Sequence, residues 1–161
     1  MATNSSAELV MDSGTRPVES HSIINGSVPD SASRKDYFIE RNGVRYAGTH
    51  LIVDLRGAER LDDIDHIECV LREAVAASGA TLLHVHLHHF TPNGGVSGVA
   101  VLAESHISIH TWPERRYAAL DVFMCGCARP ESTLEVFRRA FEPEGMDVAE
   151  FLRGRSEKAR D

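Results

Sequence analysis

Apolar residues along this chain recur with two different periods, and the changes of period lay out its elements. Residues 46–55 (YAGTHLIVDL) are largely apolar over a strand's length and read as a buried strand. The period then lengthens. Ile64, Ile67, Leu71, Ala74 and Val75 form one stripe of a helix, with Asp62 as the expected N-cap and Gly79 as the left-handed residue that ends it. Residues 81–90 return to period two, with Leu83, Val85 and Leu87 on one face and His84, His86 and His88 on the other. Residues 91–98 (TPNGGVSG) are dense in turn formers and predict a turn. Val99, Val101 and Ala103 alternate with their neighbours, as do Ile107 and Ile109 with His106, Ser108 and His110. A break at 112–116 precedes an apolar run at 118–124, so this stretch reads as a hairpin system. Pro130 introduces a second helix with Leu134, Phe137 and Phe141 as its stripe, and 146–152 predicts a last, edge strand. The order β-α-β-β-β-α-β predicts an α+β fold: a two-layer sandwich, mainly antiparallel, with both helices on one face of the sheet. The other face is left uncovered. Two copies pairing through their sheets would cover it, so a homodimer is expected.

Composition narrows the picture. The chain has 161 residues, one domain's worth, with 17 basic and 24 acidic side chains and a net charge of −7. No basic stripe is present, which argues against nucleic acid or an anionic membrane surface as partner. The apolar runs are too short to span a bilayer, and residues 1–14 lack the features of a secretory signal. Residues 1–35 are rich in Ser, Asn, Gly, Asp and Pro without periodicity, and predict a disordered extension. Residues 36–154 are expected to form the folded domain and 155–161 a charged tail, while 37–45 give no clear pattern. Cys69, Cys125 and Cys127 are odd in number and form no Cys-x-x-Cys pair, which fits a reduced, cytoplasmic setting. Cys69, mid-helix, reads as a structural thiol.

Two groups of residues carry candidate chemistry. His84, His86 and His88, with His110, could in principle converge on zinc. No cysteine or carboxylate stands at ligand spacing beside them, so a half-exposed strand face is the expectation and no metal is assigned. Ser105 follows Glu104, with His110 five residues on. A hydrolase nucleophile is one reading, although no Gly-x-Ser-x-Gly elbow is present and no aspartate is evident to orient the histidine. The other is self-processing, in which the Ser105 hydroxyl attacks the Glu104 carbonyl and the chain is cut.

The run AESHISIHTWPE at 103–114, with GVSG at 95–98 and FMCG at 123–126, closely resembles the self-processing motif of prokaryotic S-adenosylmethionine decarboxylases. The likeness extends over roughly 48–154, in order and in spacing. It implies cleavage between Glu104 and Ser105 into a β chain of residues 1–104 and an α chain of residues 105–161. Residue 105 would become a covalent pyruvoyl group, whose carbonyl condenses with the substrate α-amine and serves as an electron sink. The resemblance also gives His110 and Ser97 roles in processing, and makes Cys125 the proton donor in turnover. Phe90 and Trp112 would pack on S-adenosylmethionine, and Glu114 would accept hydrogen bonds from its ribose. The product would be decarboxylated S-adenosylmethionine, used in spermidine biosynthesis. A pyruvoyl-dependent decarboxylase of arginine or ornithine on the same fold is the alternative, and an uncleaved binding module a third reading. Four features depart from the pattern: a loop at 93–95 one residue longer than in some relatives, the pair Arg115 and Arg116, the N-terminal extension, and Cys127, which has no family match.

Overall fold

The computed structural model describes residues 38–156. The disordered extension expected at 1–35 lies outside these residues, as does most of the expected tail.

The stretch without a clear pattern begins with a small hairpin, β1 (Ile39–Arg41) and β2 (Val44–Tyr46), closed by Asn42 and Gly43. Tyr46 therefore ends β2 and is buried, and the first strand of the main sheet is β3 (Gly48–Arg56). Helix α1 (Ile64–Ser78) follows, then β4 (Leu82–His89), β5 (Val96–Leu102), β6 (Ser105–Trp112), a short 3-10 turn (Pro113–Arg115), β7 (Tyr117–Cys125), α2 (Ser132–Phe141) and β8 (Gly145–Arg153). The six long strands form one sheet in the order β4-β5-β6-β7-β3-β8, and every neighbouring pair is antiparallel. Both helices pack on one face. The architecture is the expected α+β two-layer sandwich with β8 at an edge, but four strands rather than the expected three lie between the helices, because the chain turns at Ala103 and Glu104 and splits the expected strand into β5 and β6.

Period-two burial shows where the core lies. Leu51, Val53 and Leu55 of β3, Ile107 and Ile109 of β6, and Ala118, Leu120, Val122 and Met124 of β7 meet Ile67, Leu71, Ala74, Phe137 and Phe141 of the helices. Four details differ from the sequence reading, each for a local reason. Asp63, not Asp62, caps α1: its carboxylate accepts the His66 backbone N–H at 3.0 Å, the bond an N-cap makes to the third helical residue. Cys69 points outward and is exposed, because the buried stripe runs through Ile67, Val70, Leu71 and Ala74. A register shift between Leu82 and His84 leaves Leu83 63% exposed, so Leu82 joins Val85 and Leu87 against the core. Finally, the turn ends at Gly95, and Val96, Ala100 and Leu102 are the buried set of β5, whereas Val99 and Val101 face away from the helices. Gly98 lets β4 and β5 approach closely: a Cβ there would stand 2.1 Å from the His86 carbonyl oxygen.

The sheet is also interlaced along the sequence. Residues up to 104 supply β3, β4, β5 and α1, residues from 105 supply β6, β7, β8 and α2, and β3 lies between β7 and β8.

Candidate active site

The structure divides the candidate residues between the two ends of β6. At its start, Ala103 and Glu104 form a two-residue turn between the paired Leu102 and Ser105. Ser105 is only 8% exposed, and its Oγ accepts a hydrogen bond from the Cys125 backbone N–H at 3.1 Å. The Ala103 N–H donates to the Thr81 carbonyl at 2.9 Å, so the turn is held on both sides. Glu104 has φ 61°, in the left-handed region. Cys125 ends β7 opposite Gly48, where a Cβ would stand 2.8 Å from the Met124 carbonyl oxygen; that approach keeps the sheet tight behind the thiol. Burial pushes the Cys125 thiol above its usual range, and the Glu104 carboxylate adds to the effect. The thiol is therefore protonated at neutral pH.

At the other end, Ser97 of β5 stands opposite His110 of β6, with Oγ and Nδ1 2.9 Å apart. Beside this pair lies a cavity of about 350 Å³ lined by Phe90, Thr91, Pro92, Asn93, Gly95, Ser97, Thr111, Trp112 and Glu114. The loop beneath Phe90 is tied by Phe90 N–H to Gly95 O at 2.7 Å and Gly94 N–H to Phe90 O at 2.8 Å. Buried Thr111 fixes the floor: its Oγ1 accepts the Val96 N–H and donates to the Leu61 carbonyl, both at 2.7 Å. Phe90 and Trp112 are about half exposed at the cavity. Tyr117 packs on the Trp112 ring at 5.3 Å, and the His88 ring lies edge-on to Phe90 at 4.5 Å.

Ser105 and His110 do not meet within one chain. Five strand residues separate them, roughly 16 Å at the rise of a β-strand. Their side chains also leave opposite faces: Ser105 shares the phase of Ile107 and Ile109, and His110 that of His106 and Ser108. Among the described residues no group of three or more His, Cys, Asp or Glu could hold a metal ion.

Sequence reasoning overlooked the supports of the cavity. Thr91, Pro92 and Asn93 read only as a turn in the sequence, although their position just after an aromatic residue is a usable signal. It also missed a polar row on the uncovered face, where the His50 ring lies between Asp121 (3.2 Å) and Arg153 (3.1 Å) and Ser108 donates to Asp121. Nothing local in the sequence announces that row, because its members come from four strands.

Residues 49–154 match the family model described as S-adenosylmethionine decarboxylase. The chain belongs to this family. A protein of Methanococcus maripaludis named S-adenosylmethionine decarboxylase proenzyme is 51% identical over 114 residues, covering 69% of this chain and 93% of its own length. One of the same name from Thermomicrobium roseum is 47% identical over 108 residues, 66% of this chain and 93% of that one. Among solved structures, the adenosylmethionine decarboxylase of Aquifex aeolicus aligns with a TM-score of 0.64 at 32% identity, over 72% of this chain and 98% of that one. The family match covers both ends of β6, from Phe90 to Cys125. The alternative of an arginine or ornithine decarboxylase finds no support among these relatives.

Proposed function

We propose that this chain is a self-processing decarboxylase of S-adenosylmethionine, cut between Glu104 and Ser105 and active as a homodimer with shared sites. The observation that carries the reading is the division along β6: Ser105 and Cys125 stand at one end, Ser97, His110 and the cavity at the other. Two copies packed face to face and antiparallel bring each Ser105 end against the partner's cavity end. The uncovered face suits such packing, with Ile52, Val101, Trp112 and Phe151 each more than a third exposed on it.

The residues present fit a pyruvoyl group derived from Ser105. Its Oγ is held by one N–H and has a lone pair free, and the carbonyl it would attack belongs to the adjoining left-handed residue. A pyruvoyl carbonyl supplies an electron sink as carbon dioxide leaves. Around it, Cys125 keeps its proton and can deliver it to the substrate Cα. Phe90 and Trp112 offer two flat faces for the adenine ring, and Glu114 an exposed carboxylate for ribose hydroxyls. The product, decarboxylated S-adenosylmethionine, is the aminopropyl donor for spermidine synthesis.

The test is complementation. Ser105→Ala and His110→Ala homodimers should both remain uncut. When the two chains are co-expressed, each mixed dimer contains one site with Ser105 from one chain and His110 from the other. The His110→Ala chain should then be cut and release carbon dioxide from S-adenosylmethionine, but not from arginine or ornithine. No cleavage in the mixture would refute a shared site, and a wild-type chain of intact mass with full activity would refute processing.

A further inference from the structure

The turn before the proposed cut has an unusual construction for a two-residue hairpin. Such hairpins normally use type I′ or II′ turns, which match the twist of the strands and place a positive φ at the first of the two residues. The β1–β2 hairpin of this chain does so: Asn42 and Gly43 have φ 52° and 75°. In the β5–β6 turn Ala103 is not among the residues with positive φ, and Glu104 has φ 61°. That is the pattern of a type II turn, which splays the flanking strands and calls for glycine or asparagine at its second central position. Glutamate there sets its Cβ too close to the following carbonyl oxygen. Arg60, Arg116 and Glu142 are also left-handed; Arg116 and Glu142 each close a helical segment, where that conformation is common, and Arg60 lies in the loop before α1 rather than in a two-residue hairpin.

The surroundings prevent this turn from relaxing. Leu102 and Ser105 are locked in register, the Thr81 carbonyl holds the Ala103 N–H, and the Cys125 N–H holds Ser105 Oγ. Strain persists in a fold only where neighbours over-determine it in this way.

We propose that the left-handed Glu104 is a strained residue whose relaxation drives the cut, an inference that rests on the self-processing reading above. In the step concerned, Ser105 Oγ bonds to the Glu104 carbonyl carbon and the bond from that carbon to the Ser105 nitrogen breaks. The hydroxyl proton ends on the freed amine, so the amide becomes an ester with no atom gained or lost. The ester link is longer and adds rotatable bonds where a planar peptide stood. Glu104 can then leave the left-handed region, and returning to the amide requires rebuilding it. Strain in the precursor raises the starting state relative to the transition state.

Glycine and alanine at 104 separate strain from charge. Glu104→Ala removes the carboxylate and keeps a Cβ; Glu104→Gly removes both. Freshly translated chains followed by intact mass should show Glu104→Gly cutting about fivefold to thirtyfold more slowly than Glu104→Ala, the factor a single left-handed penalty is worth. In a Ser105→Ala background, where no cut occurs, the Glu104→Gly chain should melt a few degrees higher than the Glu104→Ala chain. Glycine's greater freedom in the unfolded chain acts the other way, so a rise is diagnostic. Equal cutting rates would overturn the proposal even if the melting temperatures differ, because the strain would then not serve the cut. A Glu104→Gly chain that melts below the Glu104→Ala chain, as glycine's freedom alone dictates, would overturn it by showing no strain. A wild-type chain that never cuts would instead remove the self-processing reading itself.

Discussion

Cys125 is placed to keep a proton rather than to lose it. Burial and the Glu104 carboxylate both raise its thiol above the usual range, whereas a nucleophilic cysteine sits where its thiolate is favoured. The sign of the shift gives a direction with pH. The folded chain binds this proton more tightly than the unfolded one, so any stability from Cys125 is complete below the ordinary thiol range and is lost as pH rises from that range through the raised value of the folded chain. At neutral pH, iodoacetamide should modify Cys125 more slowly than the exposed Cys69 and Cys127, as peptide mapping of the alkylated chain would reveal. Cys125→Ala should still be cut but should decarboxylate on the order of 10²–10⁴ more slowly, the usual cost of a lost proton donor. Normal turnover by that variant would assign the proton to another group. At this scale the sequence was informative, because the residue types and spacings around 97, 105, 110 and 125 carry the family's pattern without any structure. What the spacing hides is direction. Five residues from Ser105 to His110 look adjacent on paper, yet in a strand they reverse the face and span the sheet.

The elements tolerate substitution unequally, and the close approach of β4 to β5 is a sensitive point. A methyl group on Gly98 would meet backbone, the His86 carbonyl oxygen at 2.1 Å and Leu87 Cα at 2.8 Å, which no rotamer change can avoid. Gly98→Ala should therefore cost about 3 kcal/mol, at the upper end for overpacking, read as a lower melting temperature in the Ser105→Ala background. Asp63→Ala should cost about 1 kcal/mol through the lost cap on α1, and Asp62→Ala close to nothing. The long elements were legible because their periods are long: the stripe of α1 and the alternation of β6 are as the pattern predicts. The errors fell where one residue decides the phase. The register shift in β4 moved Leu83 outward, and the early start of β5 at Val96 put Val99 and Val101 on the open face. Both follow from pairing between strands, which a linear pattern does not contain.

For the whole molecule, the uncovered face of the sheet is where the proposed dimer would form. Sedimentation at micromolar concentration should find a dimer, and a charged residue placed at Val101, which is 40% exposed on that face, should shift it toward monomer. The interlaced strand order has a different consequence, one for refolding. A chain cut at Glu104–Ser105 leaves β3 on one fragment, hydrogen-bonded between β7 and β8 of the other. Before the cut, inserting that strand is a first-order event within one molecule. After it, two separate polypeptides must find each other, and recovery from denaturant should slow as the sample is diluted. The Ser105→Ala chain, still continuous, should form this sheet at a rate independent of its concentration. On the proposed cut, the fold would be easily made only once, from the unbroken precursor, and the two fragments would depend on never coming apart.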